Sequence, residues 1–298
     1  MLEFWGMKTA LVIGGNRFVG RRLVRLLCEH RVEVTQLNRT GTGEGAQLLR
    51  ADRSDPQALE SALGDRSWDV VYDFACFRPS EALAATRLLK GRTENLVVIS
   101  SQSVYGWGAD LQESAYDPLV PGIPFTPERA DLDYAENKRQ MERGFLLDPA
   151  APTHLVRFPI LLGTDDYTRR LHFHIERALQ GQEIHFPNVD ARLCFAHAPE
   201  AADFLLRLGE VRDSGGPINF CSRDALTLIE LVELIERETR RKLHLSSIAG
   251  TKADSPFGVP RDWTMRTHRA ESLGITPSPT RAWLPDLVRE IIRSWAKT

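Results

Sequence analysis

The run Thr9-Ala10-Leu11-Val12-Ile13 is apolar without alternation and stops at two glycines. A strand buried on both faces of a parallel sheet has this pattern, whereas a half-exposed strand alternates. Behind it, Leu23, Leu26 and Leu27 recur at helical spacing, with Arg21, Arg22 and Arg25 between them. That is the stripe of an amphipathic helix. The couplet then repeats. Further strands are predicted at 32–37, 48–49, 70–74 and 95–100, and helices at 56–63 and 80–90. Asp55 and Pro56 suit the N-cap and first turn of the helix at 56–63. Strands alternating with helices in this rhythm predict an α/β fold with a doubly wound parallel sheet. The handedness of the crossovers places helices on both of its faces.

Residues 106–133 break the rhythm. Pro118, Pro121, Pro124 and Pro127 fall at every third position, which predicts a partly extended loop. A helix is expected again at 134–147 and a strand at 155–158. Beyond about residue 163 the pattern is mixed, with helices near 169–180, 199–208, 227–240 and 281–296 and short strands near 183–186, 193–196 and 217–221. No repeat or clean linker divides the chain. The expected organisation is a main domain over 7–166 and a smaller mixed α/β subdomain over 167–298, interleaved with it. At 298 residues the chain is long enough to bury a full core without disulfides or metals.

Composition narrows the function classes. Lys and Arg total 38 against 40 Asp and Glu, a net charge of -2, which excludes a chain made mainly to coat nucleic acid. Cys28, Cys76, Cys194 and Cys221 form no CxxC pair and sit in apolar company, so buried free thiols in a reducing cytoplasm are expected. His172 and His174 form an HxH that points in two directions on a helix, and no metal site is expected. Residues 1–6 precede a second methionine, Met7. The apolar run after Lys8 is too short for a signal peptide, and no run reaches the ~18 residues of a membrane span. A cytoplasmic location follows as the expectation.

The chemistry starts at the first glycines. Gly14-Gly15-Asn16-Arg17-Phe18-Val19-Gly20 lies between the first strand and the first helix. Glycines there permit a tight turn and close backbone approach, and the helix N-terminus attracts a pyrophosphate. The expected fold is therefore of the Rossmann type, with a dinucleotide held by this loop. The second strand ends in Asn38-Arg39, with no acid to bind ribose hydroxyls. Arg39 and Arg17 both suit a 2′-phosphate, which favours NADP(H) over NAD(H). Asp52, just past the third strand, is placed to hold an adenine amino group.

Strand five runs into Ser100-Ser101-Gln102-Ser103-Val104-Tyr105-Gly106, and Tyr134-Ala135-Glu136-Asn137-Lys138 opens the next long helix. A YxxxK places the tyrosine and lysine one turn apart on one face. Neither is a useful base alone at neutral pH, but a lysine beside an oxidised nicotinamide lowers the tyrosine's pKa. The tyrosine can then exchange a proton with a substrate hydroxyl.

A glycine loop after strand one, serines after strand five and a YxxxK resemble the extended short-chain dehydrogenase/reductases, or NAD-dependent epimerase/dehydratases. The GGxxxxG spacing of Gly14, Gly15 and Gly20 points to an atypical subgroup that includes isoflavone reductase-like and chloroplast stem-loop RNA-binding proteins. The resemblance implies a catalytic triad of Ser101, Tyr134 and Lys138. It implies a cofactor held by Gly14, Gly15, Asn16, Arg17, Phe18, Val19, Gly20, Asn38, Arg39, Asp52, Ala75 and Ser100, together with Tyr134 and Lys138. Arg157-Phe158-Pro159 resembles the family's Arg-Pro strand. Three stretches depart from the family. Gln102 and Ser103 stand where 4,6-dehydratases carry an Asp-Glu pair. Ile160 and Gly163-Thr164 replace the Asn and Gly-Pro of nucleotide-sugar enzymes. Asp73-Phe74-Ala75-Cys76 replaces His-Leu-Ala-Ala.

The resemblance implies NAD(P)-dependent oxidoreduction, or epimerisation through a transient ketone, on a small and in some members sugar-like substrate. The C-terminal subdomain would bind that substrate, with Arg78, Tyr105, Tyr167, Arg192 and His197 as candidate lining. A homodimer through the Rossmann helices also fits the family. The alternative is a cofactor-binding RNA-binding or redox-sensing protein without turnover, which the near-zero net charge does not favour.

Overall fold

The computed structural model describes residues 6–129, 131–212 and 215–295. In chain order its strands are β1 (Thr9–Ile13), β2 (Glu33–Asn38), β3 (Gln47–Arg50), β4 (Trp68–Asp73), β5 (Thr93–Ser101), β6 (Gly108–Leu111), β7 (Thr153–Phe158), β8 (Ile160–Leu162), β9 (Glu183–Ile184), β10 (Arg192–Leu193), β11 (Phe195–His197), β12 (Gly215–Asn219), β13 (Leu226–Thr227), β14 (His244–Leu245) and β15 (Trp263–Met265). The helices are α1 (Phe18–Glu29), α2 (Pro56–Leu63), α3 (Pro79–Leu89), α4 (Tyr134–Leu147), α5 (Arg170–Gln180), α6 (Ala198–Leu208), α7 (Leu228–Thr239), α8 (His268–Ser272) and α9 (Thr280–Trp295).

The chain divides into two compact units. The first holds residues up to Tyr105, Glu113–Phe158 and Pro199–Asn219. Its seven-stranded sheet has the order β12-β7-β5-β4-β1-β2-β3, and every pairing is parallel. The unbroken apolar runs of β1, β4 and β5 lie at its centre, as their lack of alternation requires. From β1 the chain steps outward to β2 and β3, then returns to β4 and steps the other way. The carboxyl ends of β1 and β4 are therefore the topological switch point, where open α/β sheets bind ligands. One face of the sheet packs Leu11, Val71, Leu96 and Val98 against Leu59, Leu63, Ala82, Leu89, Met141 and Phe145 from α2, α3 and α4. At the other end of the chain segment, the Asn95 amide donates to the carbonyls of Leu208, Gly209 and Val211, which caps the C-terminus of α6. Asp55 accepts from the N–H groups of Gln57 and Ala58, and Pro56 opens α2, as read from the sequence.

The strand expected at 217–221 is β12. It pairs with β7 in the main sheet and carries Pro217, which an edge strand tolerates because its N–H is not needed on the open side. Within 106–133, expected to be loop, Gly108–Leu111 forms β6 by pairing with β15. That partner lies more than 150 residues away, beyond the reach of a local pattern.

The second unit holds Gly106–Gln112, Pro159–Ala198 and the chain from Phe220 onward. It contains a four-stranded sheet, β13-β10-β15-β6, and two strand pairs, β8 with β11 and β9 with β14. Its core joins Leu171 and Ile175 of α5, Leu231 and Ile235 of α7, and Leu284, Val288 and Ile291 of α9. His174 sits fully inside it, stacked on Phe186 and Phe257. Its Nδ1 lies 2.7 Å from the Arg170 carbonyl, which can only accept, so Nδ1 carries the proton and Nε2 accepts from Ser255 Oγ at 2.8 Å.

Burial pushes the pKa of His174 down to about 4 from 6.5. Between those values the unfolded chain holds more protons than the folded one. This contribution is fully present above about pH 6.5 and lost as pH falls toward 4, to roughly 3 kcal/mol in all. Replacing His174 by Phe is expected to remove that part of the pH dependence. Urea midpoints measured from pH 7 to pH 4.5 check this, and equal slopes for variant and parent would refute it.

Candidate active site

The loop between β1 and α1 is shaped by contacts only glycine allows. Gly15 has a φ of +66°, and a Cβ on it would fall 2.5 Å from Val12 Cγ1. A Cβ on Gly20 would fall 2.3 Å from Gly15 Cα. Strand, turn and helix are thus in backbone contact, and a cradle stays open above them. The Arg17 side chain does not cap α1, and the N-terminus of a helix, whose first N–H groups lack partners within the helix, suits a phosphate. Phe18 begins the helix at φ 49°, a conformation uncommon outside glycine. The cradle, the uncapped helix and the switch point fit a dinucleotide.

Asn38 and Asp52 each order the turn that follows their own strand. Asn38 Oδ1 accepts from the Thr40 N–H at 3.1 Å, and Asn38 Nδ2 donates to the Thr42 carbonyl at 2.7 Å. Arg39 is exposed beside it. Asp52 accepts from the Ser54 hydroxyl at 2.7 Å and the Ser54 N–H at 2.9 Å, which holds its carboxyl below the ordinary value.

Arg53, next to Asp52 in the chain, belongs to a pair that the sequence reading did not assign. Arg53 and Asp73 are both buried, with Nη2 2.7 Å from Oδ2. Asp73 Oδ1 accepts from the Ala75 N–H at 2.9 Å, so the pair fixes the turn after β4. Burial opposes the charge on Arg53, but Asp73 outweighs it and holds the guanidinium above its ordinary pKa. Asp73 was visible only as a departure from the family's histidine. Its partner, 20 residues upstream, carried no local signal.

The end of β5 separates its two serines. Ser100 is buried and its hydroxyl donates to Glu142 Oε1 at 2.5 Å. Ser101 is half-buried, on the opposite face as strand alternation requires. It accepts from the Ser103 N–H at 3.1 Å and caps a short 3-10 turn, Gln102–Val104.

The helix α4 starts cleanly because Asp133 accepts from the Glu136 N–H. Tyr134 is 54% exposed at its first position, and Lys138 one turn on is 3% exposed. Lys138 Nζ donates to the carbonyls of Ile99 (2.9 Å) and Cys76 (3.0 Å) and lies 4.7 Å from the centre of the Phe77 ring. Burial lowers its pKa, with Cys76 and Asp73 acting the other way. Of the predicted triad, Lys138 therefore reaches the carboxyl ends of β4 and β5, two residues from Ser101 and next to Ala75. A Cβ on Gly14 would in turn fall 3.2 Å from Ala75 Cβ. Lys138 Nζ also donates to Met141 Sδ at 3.7 Å.

One more turn along α4, Glu142 completes a stripe with Tyr134 and Lys138. It is fully buried against Arg157, with Oε2 2.6 Å from Nη2 and Oε1 3.0 Å from Nε. Arg157 also donates to the Tyr105 hydroxyl (2.8 Å) and to the carbonyls of Glu113 and Tyr116 (3.0 Å each). All five guanidinium donors are thus used. Tyr105 donates to Asn219 Oδ1 at 2.8 Å. This network ties the turn after Ser101 to α4, β7 and β12. Its one trace in the sequence is a lone arginine in an apolar strand, Arg157, and nothing local marks Glu142 as its partner.

Among the described residues no group of His, Cys, Asp and Glu could hold a metal ion, and no helix is long and apolar enough to cross a membrane. All four cysteines are free thiols.

A parallel sheet with a glycine cradle at its switch point defines a dinucleotide-binding α/β protein. The sequence pattern of the NAD dependent epimerase/dehydratase family matches residues 10–221, and the chain belongs to that family. Several solved structures share its fold. MoeE5 in complex with UDP-glucuronic acid and NAD is 21% identical, covers 96% of this chain and 99% of its own, and has a TM-score of 0.75. The UDP-glucose 4-epimerase of Thermotoga maritima with UDP-glucose is 17% identical, with coverages of 97% and 99% and a TM-score of 0.74. The UDP-glucuronic acid 4-epimerase of Bacillus cereus in complex with UDP-glucuronic acid and NAD is 17% identical, with coverages of 96% and 99% and a TM-score of 0.73. None of the curated proteins compared with the chain matches it.

Proposed function

We propose that this chain is a nicotinamide-dependent enzyme of the GGxxxxG subgroup, acting on a hydroxyl or carbonyl carbon of a small, sugar-like substrate by oxidoreduction or epimerisation. The observation that carries the reading is the buried Lys138 ammonium at the ends of β4 and β5, one helical turn from the exposed Tyr134. Bound nicotinamide would take or return the hydride. Tyr134 would exchange the hydroxyl proton, and Lys138 would supply the fixed positive charge that favours its phenolate. Ser101 would bind the reacting oxygen. Gly14 to Gly20 would hold the pyrophosphate, with Ala75 lining the turn after β4. Asn38 and Asp52 would face the adenosine. Arg17 and Arg39 would meet a 2′-phosphate, so NADP(H) is the favoured cofactor.

The fold neighbours are known with UDP-sugars and NAD, which supports a sugar-like substrate. Ile160 and Gly163-Thr164 depart from the nucleotide-sugar pattern, and a substrate without a nucleotide fits them better. The test is titration of NADPH and NADH by fluorescence, followed by assays on small ketones, free sugars and UDP-sugars. Tighter binding of NADPH with turnover of a small substrate is the expected result. Binding of neither dinucleotide would overturn the reading.

A further inference from the structure

The second unit holds a cleft of about 170 Å³ between α5 and the end of α9. That is smaller than a drug-sized site and suits a small metabolite. Arg169, His172, Ile175 and Glu176 line it from the α5 side, and Ile291 and Trp295 from α9. The spacing i, i+3, i+7 puts Arg169, His172 and Glu176 in one row along the helix. Arg169 and Glu176 form an ion pair along that row, with Arg169 more than half exposed. A pair so placed exchanges its partners readily. Ile175 and Ile291 are buried and give the cleft an apolar floor, and the Trp295 indole is exposed beside them.

His172 lacks a partner that its chemistry asks for. Its Nε2 lies 3.2 Å from the Thr164 carbonyl, which can only accept, so Nε2 holds the ring proton. Nδ1 is then a bare acceptor. It is buried with no donor within hydrogen-bond distance among the described residues, in a residue that is 5% exposed. Burial and the charge of Arg169 lower the pKa of the ring, which keeps it neutral. The loop before α5 shows the same shortage of donors. Asp166 Oδ1 accepts from the Thr168 N–H and hydroxyl, but its buried Oδ2 has no donor among the described residues. A buried acceptor without a donor costs free energy, and a ligand that brings one recovers it.

We propose that this cleft binds a small zwitterion of the α-amino-acid class with an apolar side chain. The ligand's ammonium, with three donors, serves both His172 Nδ1 and the Glu176 carboxylate. Its carboxylate takes the Arg169 guanidinium and the N-terminus of α5, which has no side-chain cap. Its apolar side chain covers Ile175, Ile291 and the Trp295 indole. With one arginine, one glutamate and a neutral histidine, the lining carries no net charge. A lone amine or a lone acid would part the Arg169–Glu176 pair and leave one of its charges uncompensated, whereas a zwitterion matches both. The cleft belongs to the second unit alone, and the proposal does not rest on the nicotinamide reading.

The experiment is calorimetric titration of the full chain with L-leucine, with isoamylamine, which lacks the carboxylate, and with isocaproate, which lacks the ammonium. L-Leucine is expected to bind, and each analogue to bind at least about 10-fold more weakly, the worth of one charge-assisted hydrogen bond. Glu176→Gln and Arg169→Gln are each expected to weaken L-leucine by about 10-fold. Both variants are expected to keep the melting temperature of the parent chain, because both side chains reach the surface. No binding of L-leucine, or an analogue that binds as tightly as L-leucine, would overturn the proposal whatever the variants do. Unchanged affinity in either variant would overturn it too, since the amino acid would then sit elsewhere.

Discussion

Glu142→Ala is expected to destabilise the first unit by about 3–5 kcal/mol, the range for removing one partner of a buried ion pair. The residue left behind carries the cost. Arg157 is fully buried, and without the carboxylate two of its five donors lose their acceptor. The Ser100 hydroxyl loses its acceptor as well. Burial alone would push the Arg157 charge out, and Glu142 is the main influence holding its pKa above the ordinary value. A charge that stays ionised in the interior must be compensated or the fold gives way. Urea unfolding of the parent chain and the variant measures the loss. The double variant Glu142→Leu with Arg157→Met is expected to recover most of it, since a dry replacement of both partners removes the desolvation cost. A loss below about 1 kcal/mol in Glu142→Ala would show that water or rearrangement satisfies Arg157. The network also holds the turn after Ser101 through Tyr105, so the same variant is expected to lose activity beyond its loss of folded protein.

This pair illustrates what the sequence discloses and what it hides. The apolar runs of β1, β4 and β5, the leucine stripe of α1 and the Asp55-Pro56 start of α2 depend on neighbours within one element. They were legible, and so was the parallel sheet that follows from their alternation. The glycine loop was legible because its close backbone contacts require glycine at fixed positions, which few other turns do. By contrast, β6 depends on a strand far along the chain, and its Asp110 adopts φ 57°, which no propensity would suggest. The residues Gly215-Gly216-Pro217 are poor strand formers. They become β12 only because β7 offers an open edge. The buried pairs Arg53–Asp73 and Glu142–Arg157 were hidden for another reason. Charged residues are usually solvated, and only the fold shows which of them lie inside with a partner. For the candidate site, the serines after β5 and the YxxxK at the start of α4 were readable as residue types in order. The commitment of Ser100 to Glu142 and of Lys138 to main-chain carbonyls needed coordinates, because both follow from which face of an element each residue presents.

Tyr134→Phe is expected to lower turnover by about 10²- to 10⁴-fold, the range for removing a positioned general acid–base group. At 1.36 kcal/mol per factor of ten, that is roughly 3–5 kcal/mol of transition-state stabilisation. The substitution deletes one oxygen from a residue that is 54% exposed, so melting temperature and cofactor affinity are expected to stay close to the parent values. Lys138→Met provides the contrast. Its ammonium is buried and donates to the carbonyls of Cys76 and Ile99, which would lose their donor in the variant. That change is expected to cost stability as well as turnover. The two variants therefore separate a proton-exchanging group from a positioning charge. The first loses rate with the fold intact, and the second loses both. If Lys138 favours the phenolate, the pH at which activity rises in the parent enzyme depends on it. Full activity in Tyr134→Phe would remove the tyrosine from the chemistry and leave the glycine cradle as a binding site alone.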